Sequence, residues 1–476
     1  MRLRFPLLAP LVLLAGCAVG PNYRRPDTQT PAAYRGQPEA DARSLADLGW
    51  WDLYHDPVLT ELVRASLAQG FDARIAAVRV EQARAIAREA RGALFPSLGY
   101  AGDAFRGRNT VSGRPNTLGT GTTGNGFDAY LSAAWEPDIW GRLRRLDEAA
   151  RDQYLGTEQA RRGVLLSLVT EVSSDYFQLL ELDAEIAIAR QAADSFGHSL
   201  ALFNQRLTGG IASRLETASA AAAQDQAAAQ IPALERQIAL TENQLSVLIG
   251  RNAGPIVRGT PLFAHAAAPE VPAGIPSALL ERRPDVLQAE YAAKTANAQL
   301  GATIGGFLPR FGLSALFGGV SQHLQDVTLH QDELWSVGAQ VTGPLFQAGA
   351  LKGEYDAAKA IAQTAKLQYE QTALAAFADV ANALVTRQKL GEVRGLQEHE
   401  VAAYQDAVRY AEDRYKSGLI GYFELLQTQQ LLYPAESALA QTRRDELISI
   451  VQLYKALGGG WSLRDPAAWQ DAAAAR

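Results

Sequence analysis

Two long stretches of the chain combine a heptad spacing of apolar residues with a complete lack of proline. They run from Arg142 to about Leu207 and from Ala350 to about Lys416. Apolar residues in the first step by four and three: Leu165, Val169, Val172, Tyr176 and Leu179. The second repeats the pattern with Val401, Tyr404, Val408, Ala411 and Tyr415. The spacing predicts two coiled-coil helices of ~65 residues, each ~100 Å long at 1.5 Å per residue.

Shorter segments alternate apolar and polar residues with a period of two, which predicts β-strands. In the fourth strand one face carries Trp335, Val337, Ala339 and Val341, and the other carries Ser336, Gly338, Gln340 and Thr342. An earlier strand sets Phe127, Ala129, Leu131, Ala133 and Trp135 against Asp128, Tyr130, Ser132 and Glu136. The strands near Leu98–Arg106 and Phe311–Val320 alternate less cleanly. Each strand has about ten residues, the length of a tilted transmembrane strand.

The second half of the chain repeats the first. The segment from Phe71 to Pro96 matches the segment from Pro284 to Pro309 at an offset of 213. After the first strand the offset becomes 208, so that Arg206-x3-Gly210 aligns with Arg414-x3-Gly418. Each half is therefore predicted to run helix, strand, loop, strand, very long helix, tight turn and helix.

These patterns predict a domain order along the chain. It consists of a signal peptide (1–16), a lipid-anchored tether (17–55), repeat 1 (56–255), a linker (256–276), repeat 2 (277–461) and a tail (462–476). Repeat 1 holds strands at ~94–109 and ~124–140 and helices at ~142–207 and ~213–249. Repeat 2 holds strands at ~307–320 and ~333–347 and helices at ~350–416 and ~422–457.

The N-terminus has the layout of a lipoprotein signal. Arg2 and Arg4 precede a short apolar stretch that ends in Leu14-Ala15-Gly16-Cys17. Small residues before a cysteine resemble a lipobox, so we expect cleavage before Cys17 and acylation of its new N-terminus. The residue after the cysteine is Ala18 rather than aspartate, which resembles lipoproteins that are sorted to the outer membrane rather than the inner membrane. The alternative is an ordinary signal peptide with an incidental cysteine.

Composition narrows the class of protein. The 476 residues include 45 Lys and Arg against 51 Asp and Glu, a net charge of −6, which argues against a nucleic-acid binder. Cys17 is the single cysteine, which excludes an intramolecular disulfide and a cysteine-based zinc site. No run of 18 apolar residues occurs beyond the N-terminus, so the sequence predicts no transmembrane helix there.

Strands within a bilayer must close into a barrel, because open edges would leave backbone groups without partners in lipid. Bacterial barrels begin at about eight strands. Four strands per chain are too few, so at least two chains are expected to share one barrel. The alternatives are a soluble sandwich, or a plain coiled-coil rod that leaves the strands unexplained.

The partial enzyme motifs in the sequence are either incomplete or in the wrong structural context. Residues 119–124 match GxGxxG, but they lead into a strand rather than a helix, so nucleotide binding is not expected. His399-Glu400 begins an HExxH motif that Ala403 breaks. No P-loop and no GxSxG occurs, and we predict neither a catalytic site nor a metal or cofactor.

The chain resembles the TolC-like outer-membrane efflux family, in its lipoprotein branch. The marks, in chain order, are Gly20-Pro21-Asn22-Tyr23, Trp50-Trp51, Asp56-Pro57, the turn Arg206–Ser213, Arg282-Arg283-Pro284-Asp285-Val286, the turn Arg414–Gly418 and the end Leu453–Trp461. The resemblance implies an α+β membrane protein that forms a homotrimer. Twelve strands would form an outer-membrane β-barrel that continues into a periplasmic α-helical barrel of coiled-coil helices. It also implies an exit duct joined to a periplasmic adaptor and an inner-membrane pump of the RND type. A lipid-anchored periplasmic coiled-coil scaffold or adaptor is the alternative.

The resemblance also implies roles for the turns that join the helices. Contact with the adaptor is expected at Gly209, Gly210, Ile211, Ala212 and Ser213, and at Gly418, Leu419, Ile420 and Gly421. We expect the side chains of Ile211, Leu419 and Ile420 to be exposed there. A periplasmic gate is expected at Glu216, Glu424, Arg414 and Tyr415, with the last two bonding across to a neighbouring helix. The alternatives are that the turns only cap helices and that both glutamates lie on a solvated outer face.

Overall fold

The structure, a computed structural model, describes residues 18–35, 44–108, 110–111, 114–115, 123–265, 274–328 and 332–459. The predicted lipidation site Cys17, the signal peptide and the C-terminal tail lie outside the described residues. The same holds for residues 119–122 of the GxGxxG match and for Trp461.

Eight α-helices and six strands occur in the described ranges. In chain order they are α1 (Pro57–Gln69), α2 (Phe71–Gly92), β1 (Ser97–Arg108), β2 (Thr110–Val111), β3 (Arg114–Pro115), β4 (Thr123–Trp135), α3 (Arg142–Thr208), α4 (Arg214–Leu248), α5 (Pro276–Arg282), α6 (Pro284–Gly305), β5 (Arg310–Ser321), β6 (Glu333–Thr342), α7 (Ala350–Lys416) and α8 (Tyr422–Ala456). None of the helices in these ranges has the length and apolar content needed to cross a bilayer.

The chain divides into two compact units, each treated separately below. Unit 1 comprises residues 18–27, Arg79–Glu158 and Gln288–Glu370, and it contains the strands. Unit 2 comprises Thr28–Val78, Gln159–Leu287 and the described residues from Gln371 onward, and it contains the turns between the long helices.

The internal repeat is confirmed at the level of individual elements. Helices α2 and α6 have 22 residues each, α3 and α7 have 67 each, and α4 and α8 have 35 each. Glycines with positive φ also recur in pairs separated by 208 residues: Gly141 and Gly349, Gly210 and Gly418, Gly250 and Gly458. The two halves thus share their turn geometry as well as their sequence pattern.

Unit 1 holds a four-stranded antiparallel sheet in the order β1-β4-β5-β6. Its register aligns apolar side chains across all four strands in two rows: Tyr100, Leu131, Phe317 and Trp335, then Leu98, Ala133, Ala315 and Val337. Adjacent positions on the opposite face align Gly99, Ser132, Leu316 and Ser336. The four predicted strands and their alternation are therefore confirmed, and one face of the sheet is strongly apolar.

The strand ends differ from prediction. β4 stops at Trp135 and β6 at Thr342, about five residues before the predicted ends at ~140 and ~347. Pro137 and Pro344 follow these ends, and proline has no backbone N–H to donate to a ladder. The β2–β3 hairpin was not predicted. Each repeat also opens with two helices where one was expected, because the chain breaks before Phe71 and before Pro284.

The heptad residues form buried seams within unit 2. Leu165, Val169, Val172, Tyr176 and Leu179 of α3 are all buried. On α7, Val401 packs with Leu432 and Ala435 of α8, and Tyr404 and Val408 extend the same cluster. Since buried a and d positions stabilise helix pairs, the coiled-coil interpretation is confirmed for these segments.

The segment predicted as an extended tether is docked over its first residues. Arg145 of α3 donates to Asn22 Oδ1 at 2.7 Å and to the carbonyl oxygen of Val19 at 3.2 Å. Arg25 pairs with the buried carboxylate of Glu290 at 2.6 Å, and Tyr23 packs against an alanine cluster of α6 and α7. Gly20-Pro21-Asn22-Tyr23 therefore fixes the start of the described chain onto unit 1.

Two further family marks are structural in unit 2. Asp56 is buried and caps α1 through the Val58 amide at 2.8 Å. Its other oxygen accepts hydrogen bonds from the Tyr176 hydroxyl at 3.0 Å and from the Thr260 amide at 3.2 Å, so it also fastens the inter-repeat linker. Arg283 bonds Asp285 at 2.6 Å and Asp379 of α7 at 2.9 Å.

Candidate functional site: the two helix turns

Two turns of closely similar geometry join the long helices in unit 2. Gly210 and Gly418 have φ of 71° and 70°, and each donates its amide to the residue three positions back. The next amides, of Ile211 and Leu419, reach the carbonyl oxygens of Arg206 and Arg414, both at 2.9 Å. This pair of bonds is the Schellman motif, whose left-handed residue is best supplied by glycine. The predicted turn glycines are thus required by the backbone.

The helices that leave the turns begin differently. Ser213 caps α4 by accepting the Glu216 amide at 3.3 Å, and the Glu216 carboxylate accepts the Ser213 amide at 2.6 Å. Such a capping box stabilises the start of a helix. In α8, Gly421 occupies the cap position without a side-chain bond, and Glu424 is exposed. The two predicted gate carboxylates hold equivalent positions, but Glu216 has a structural partner in the described chain.

Tyr415 lies at the centre of the site, with 7% of its surface exposed. Arg206 of α3 donates to its hydroxyl at 2.5 Å, and the guanidinium carbon lies 4.9 Å from the centre of the ring. In the described chain the residue that bonds Tyr415 is Arg206, whereas Arg414, for which a bond to a neighbouring helix was predicted, is exposed at the end of α7. Arg206 is the repeat equivalent of Arg414, so the offset of 208 was the signal that could have identified it.

Aromatic rings pack behind this hydrogen bond. The ring centre of Phe203 lies 4.0 Å from that of Tyr422 and 6.2 Å from that of Tyr415. Burial raises the pKa of Tyr415, although Arg206 opposes the shift. Burial, with a contribution from Tyr415, raises the pKa of Tyr422 to about 12. Both phenols therefore remain neutral across the physiological range, and the positive charge of the contact resides on Arg206.

The outer surface of each turn is apolar. Four side chains at repeat-equivalent positions are highly exposed: Ile211 (79%), Leu215 (75%), Leu419 (68%) and Phe423 (74%). Leu215 and Phe423 were not identified from the sequence, although the offset of 208 links them. The prediction that Ile420 is exposed is wrong, because Ile420 and Ala212 are half-buried against the Phe203–Tyr415 cluster. Exposed apolar patches of this kind mark contact surfaces.

The chemistry available at the turns is that of non-covalent contact. Among the residues that the structure describes, no group of three or more His, Cys, Asp or Glu side chains could hold a metal ion. The turns supply instead a backbone held by Schellman hydrogen bonds, a charged hydrogen bond between two helices and four exposed apolar side chains.

Comparison with known proteins relates this geometry to a family. The outer membrane efflux protein family matches residues 62–251 and 275–459, which correspond to the two repeats. The toluene efflux pump outer membrane protein TtgC of Pseudomonas putida is 34% identical over 459 residues, 94% of each chain. The cation efflux system protein CusC of Escherichia coli is 29% identical over 94% of this chain and 96% of its own.

A solved structure agrees with these relatives. The MtrE outer membrane channel of Neisseria gonorrhoeae, in its open state, superimposes with a TM-score of 0.84 and 28% identity over 93% of this chain and 98% of its own. The resemblance inferred from the sequence motifs is thereby confirmed, in preference to the scaffold or adaptor alternative. The chain belongs to the outer membrane efflux protein family, and it is an outer-membrane channel that extends into the periplasm and serves as an exit duct for efflux.

Proposed function

We propose that three copies of the chain build one duct, with twelve strands closing a barrel in the outer membrane and the long helices forming a periplasmic α-barrel. The observation that carries the proposal is the four-stranded sheet. It has one apolar face, and its edge strands β1 and β6 each pair with one neighbour only, so that their outer edges face no further strand among the described residues. In lipid such edges must pair, and three sheets of four strands supply a closed barrel of ordinary size.

The assembly is tested by the mass and the conductance of the purified chain. In detergent it is expected to have the mass of three copies, and in a planar bilayer it is expected to form pores. A folded monomer that leaves the bilayer sealed would contradict the proposal. We propose that a periplasmic adaptor and an inner-membrane pump of the RND type join the duct at its periplasmic end.

We place the adaptor contact at the two turns. Ile211 and Leu419 project apolar side chains where solvent would otherwise cover them, so a partner that buries them gains hydrophobic free energy. Ile211→Cys and Leu419→Cys should crosslink to the adaptor in cells. These sites are better probes than Ser213, whose replacement would remove the cap of α4.

A matched control for the crosslinks is Leu324→Cys. Leu324 is also apolar and exposed, but it lies in the connection between β5 and β6. It should give no adaptor adduct. Crosslinks from Leu324 alone would reverse the proposed orientation of the duct.

The N-terminus of the mature chain carries acyl chains on Cys17 in this proposal. Two or more chains anchor a protein stably, whereas one chain is marginal. The variant Cys17→Ala should lose incorporation of radiolabelled palmitate while the barrel still holds part of the protein in the membrane. Undiminished labelling would show that Cys17 is not the acceptor.

Glu216 and Glu424 are proposed to add negative charge near the narrow end of the duct. Six carboxylates would result in a trimer, and a ring of like charge favours cations. Glutamine also serves in a capping box, so Glu216→Gln removes charge while it keeps the helix start. The double change with Glu424→Gln should lower cation selectivity in reversal-potential measurements. Unchanged selectivity would place both groups on the outer face.

A further inference from the structure

The linker between the two repeats is held in unit 2 by buried polar groups. Its first described stretch, residues 256–265, ends at His265, which is enclosed so closely that 7% of its surface is exposed. The ring of His265 meets the ring of Phe177 of α3 edge to face, with 5.5 Å between the ring centres. Arg443 of α8 donates to the carbonyl oxygen of His265. The linker therefore joins α3 to α8 at this residue.

Two amides of the linker are fastened at the same place. The Gly259 amide donates to the Tyr176 hydroxyl at 2.8 Å, and the Thr260 amide donates to Asp56 Oδ2 at 3.2 Å. A Cβ at position 259 would lie 2.5 Å from Asp56 Oδ1, so this close approach requires glycine. We call the set Asp56, Tyr176, Gly259, Thr260 and His265 the linker clasp.

The carboxylate at the centre of the linker clasp is already saturated with donors. Asp56 Oδ1 accepts two backbone amides at the start of α1, at 2.8 and 3.2 Å. Asp56 Oδ2 accepts the Tyr176 hydroxyl and the Thr260 amide. A carboxylate offers about four lone pairs, and these four donors occupy them. His265 Nε2 lies 3.7 Å from Asp56 Oδ2, buried and without a hydrogen-bond partner in the part of the chain that the structure describes.

A proton added to His265 Nε2 therefore meets no available acceptor in the closed clasp. A buried charge without a partner is strongly disfavoured. Arg443 pairs with Glu446, and its positive charge disfavours a second cation beside it. Burial lowers the pKa of His265, with Asp56 opposing the shift and Arg443 adding to it. The remaining charged residue of this stretch, Arg258, is paired with Asp183 and Glu242.

We propose that acid releases the linker clasp: a proton on His265 Nε2 displaces the Thr260 amide or the Tyr176 hydroxyl from Asp56 Oδ2, and the linker loosens from α1 and α3. One attachment between α3 and α8 is lost in this way. All the groups belong to one chain, so the proposal does not depend on the trimeric duct.

The direction of the pH effect follows from the burial of His265. The closed clasp binds a proton less readily than an exposed imidazole, so it is stable above the ordinary histidine pKa of about 6.5. As the pH falls below that value, opening becomes more favourable by at most about tenfold per pH unit, since a single proton is bound. The effect ends once the pH is below the lowered pKa of His265 in the closed clasp.

Hydrogen–deuterium exchange of the full chain in detergent tests the proposal, because the Gly259 and Thr260 amides are themselves bonds of the clasp. Peptides spanning residues 256–265 are compared at about pH 7.5 and about pH 5, with labelling times corrected for the intrinsic pH dependence of exchange. Protection should fall about tenfold in the unsubstituted chain. It should stay constant in His265→Gln, which takes up no proton. The Ile211 amide in the turn between α3 and α4 reports any general loosening by acid.

The matched control is His399→Gln, since His399 is exposed on α7 and this variant should lose protection like the unsubstituted chain. Constant protection in the unsubstituted chain would overturn the proposal. An equal loss in His265→Gln would also overturn it, because the acid-sensitive group would then lie elsewhere. A loss that the Ile211 amide shares would overturn it in favour of general unfolding.

A second measurement needs no variant. Exchange of the imidazole C2 proton, followed by mass spectrometry, gives the pKa of His265 in the unsubstituted chain. A value below about 6.5 is expected. A higher value would overturn the proposal, because the closed clasp would then prefer the imidazolium and acid would tighten it.

Discussion

The substitution Val337→Arg is expected to reduce the yield of assembled duct severely. Val337 lies near the middle of β6, on the apolar face and opposite Ala315. An arginine on the lipid face of a barrel near the middle of the bilayer costs about 2–4 kcal/mol. In a trimer the substitution occurs three times. The yield of heat-resistant oligomer in outer-membrane extracts measures the effect.

The adjacent residue provides the matched control. Ser336 lies on the same strand and the same sheet edge, but its side chain belongs to the opposite face. Ser336→Arg should therefore leave most of the oligomer intact and change only the charge of the pore. Equal losses from the two variants would show that the apolar face is not the lipid face.

The second large effect is expected on the opening of the duct at its periplasmic end. We expect Arg206→Ala and Tyr415→Phe to raise single-channel conductance or open probability, since each removes the bond between α3 and α7. A loss of about 1–2 kcal/mol from a closed state changes its ratio to the open state by a factor of about 5–30. Because burial raises the pKa of Tyr415, its phenol stays protonated, and the effect should be constant between pH 6 and pH 8.

Arg414→Ala separates this contact from a general effect of charge. Arg414 has the same chemistry at the equivalent position of the other repeat, yet it is exposed. This variant should conduct like the unsubstituted chain. If Arg414→Ala opens the duct while Arg206→Ala does not, the hydrogen bond seen here does not hold the closed state.

The periodicity of apolar residues was sufficient to predict the long helices, but it was insufficient to predict where the strands end. The heptads and the lack of proline predicted α3 and α7 nearly to the residue, since a long pattern leaves few alternatives. The strand ends were missed because apolar residues continue past Trp135 and Thr342, as at Ile139 and Leu345, whereas Pro137 and Pro344 cannot donate to the ladder. The docking of the N-terminal segment was missed because it depends on Arg145, more than 120 residues away.

At the turns, too, some features could be predicted from the sequence and others could not. Their position and their glycines followed from the repeat, because a reversal between helices needs a left-handed residue. The offset of 208 identifies Arg206 as a candidate beside Arg414, but it does not decide which of the two bonds Tyr415. That choice depends on which arginine faces Tyr415 across two packed helices. Ile420 was misjudged for the same reason, since its burial is set by Phe203 and Tyr422 beneath the turn.

The equal lengths of the paired helices restrict how the chain can vary. Both repeats devote 67 residues to the first long helix and 35 to the second. Removing one residue from α3 would rotate everything beyond it by ~100° and move the seam out of contact. Insertions and deletions are therefore expected to be accepted in whole heptads, and in both repeats together. The reach of the duct is therefore expected to change only in discrete steps, one heptad at a time in both repeats.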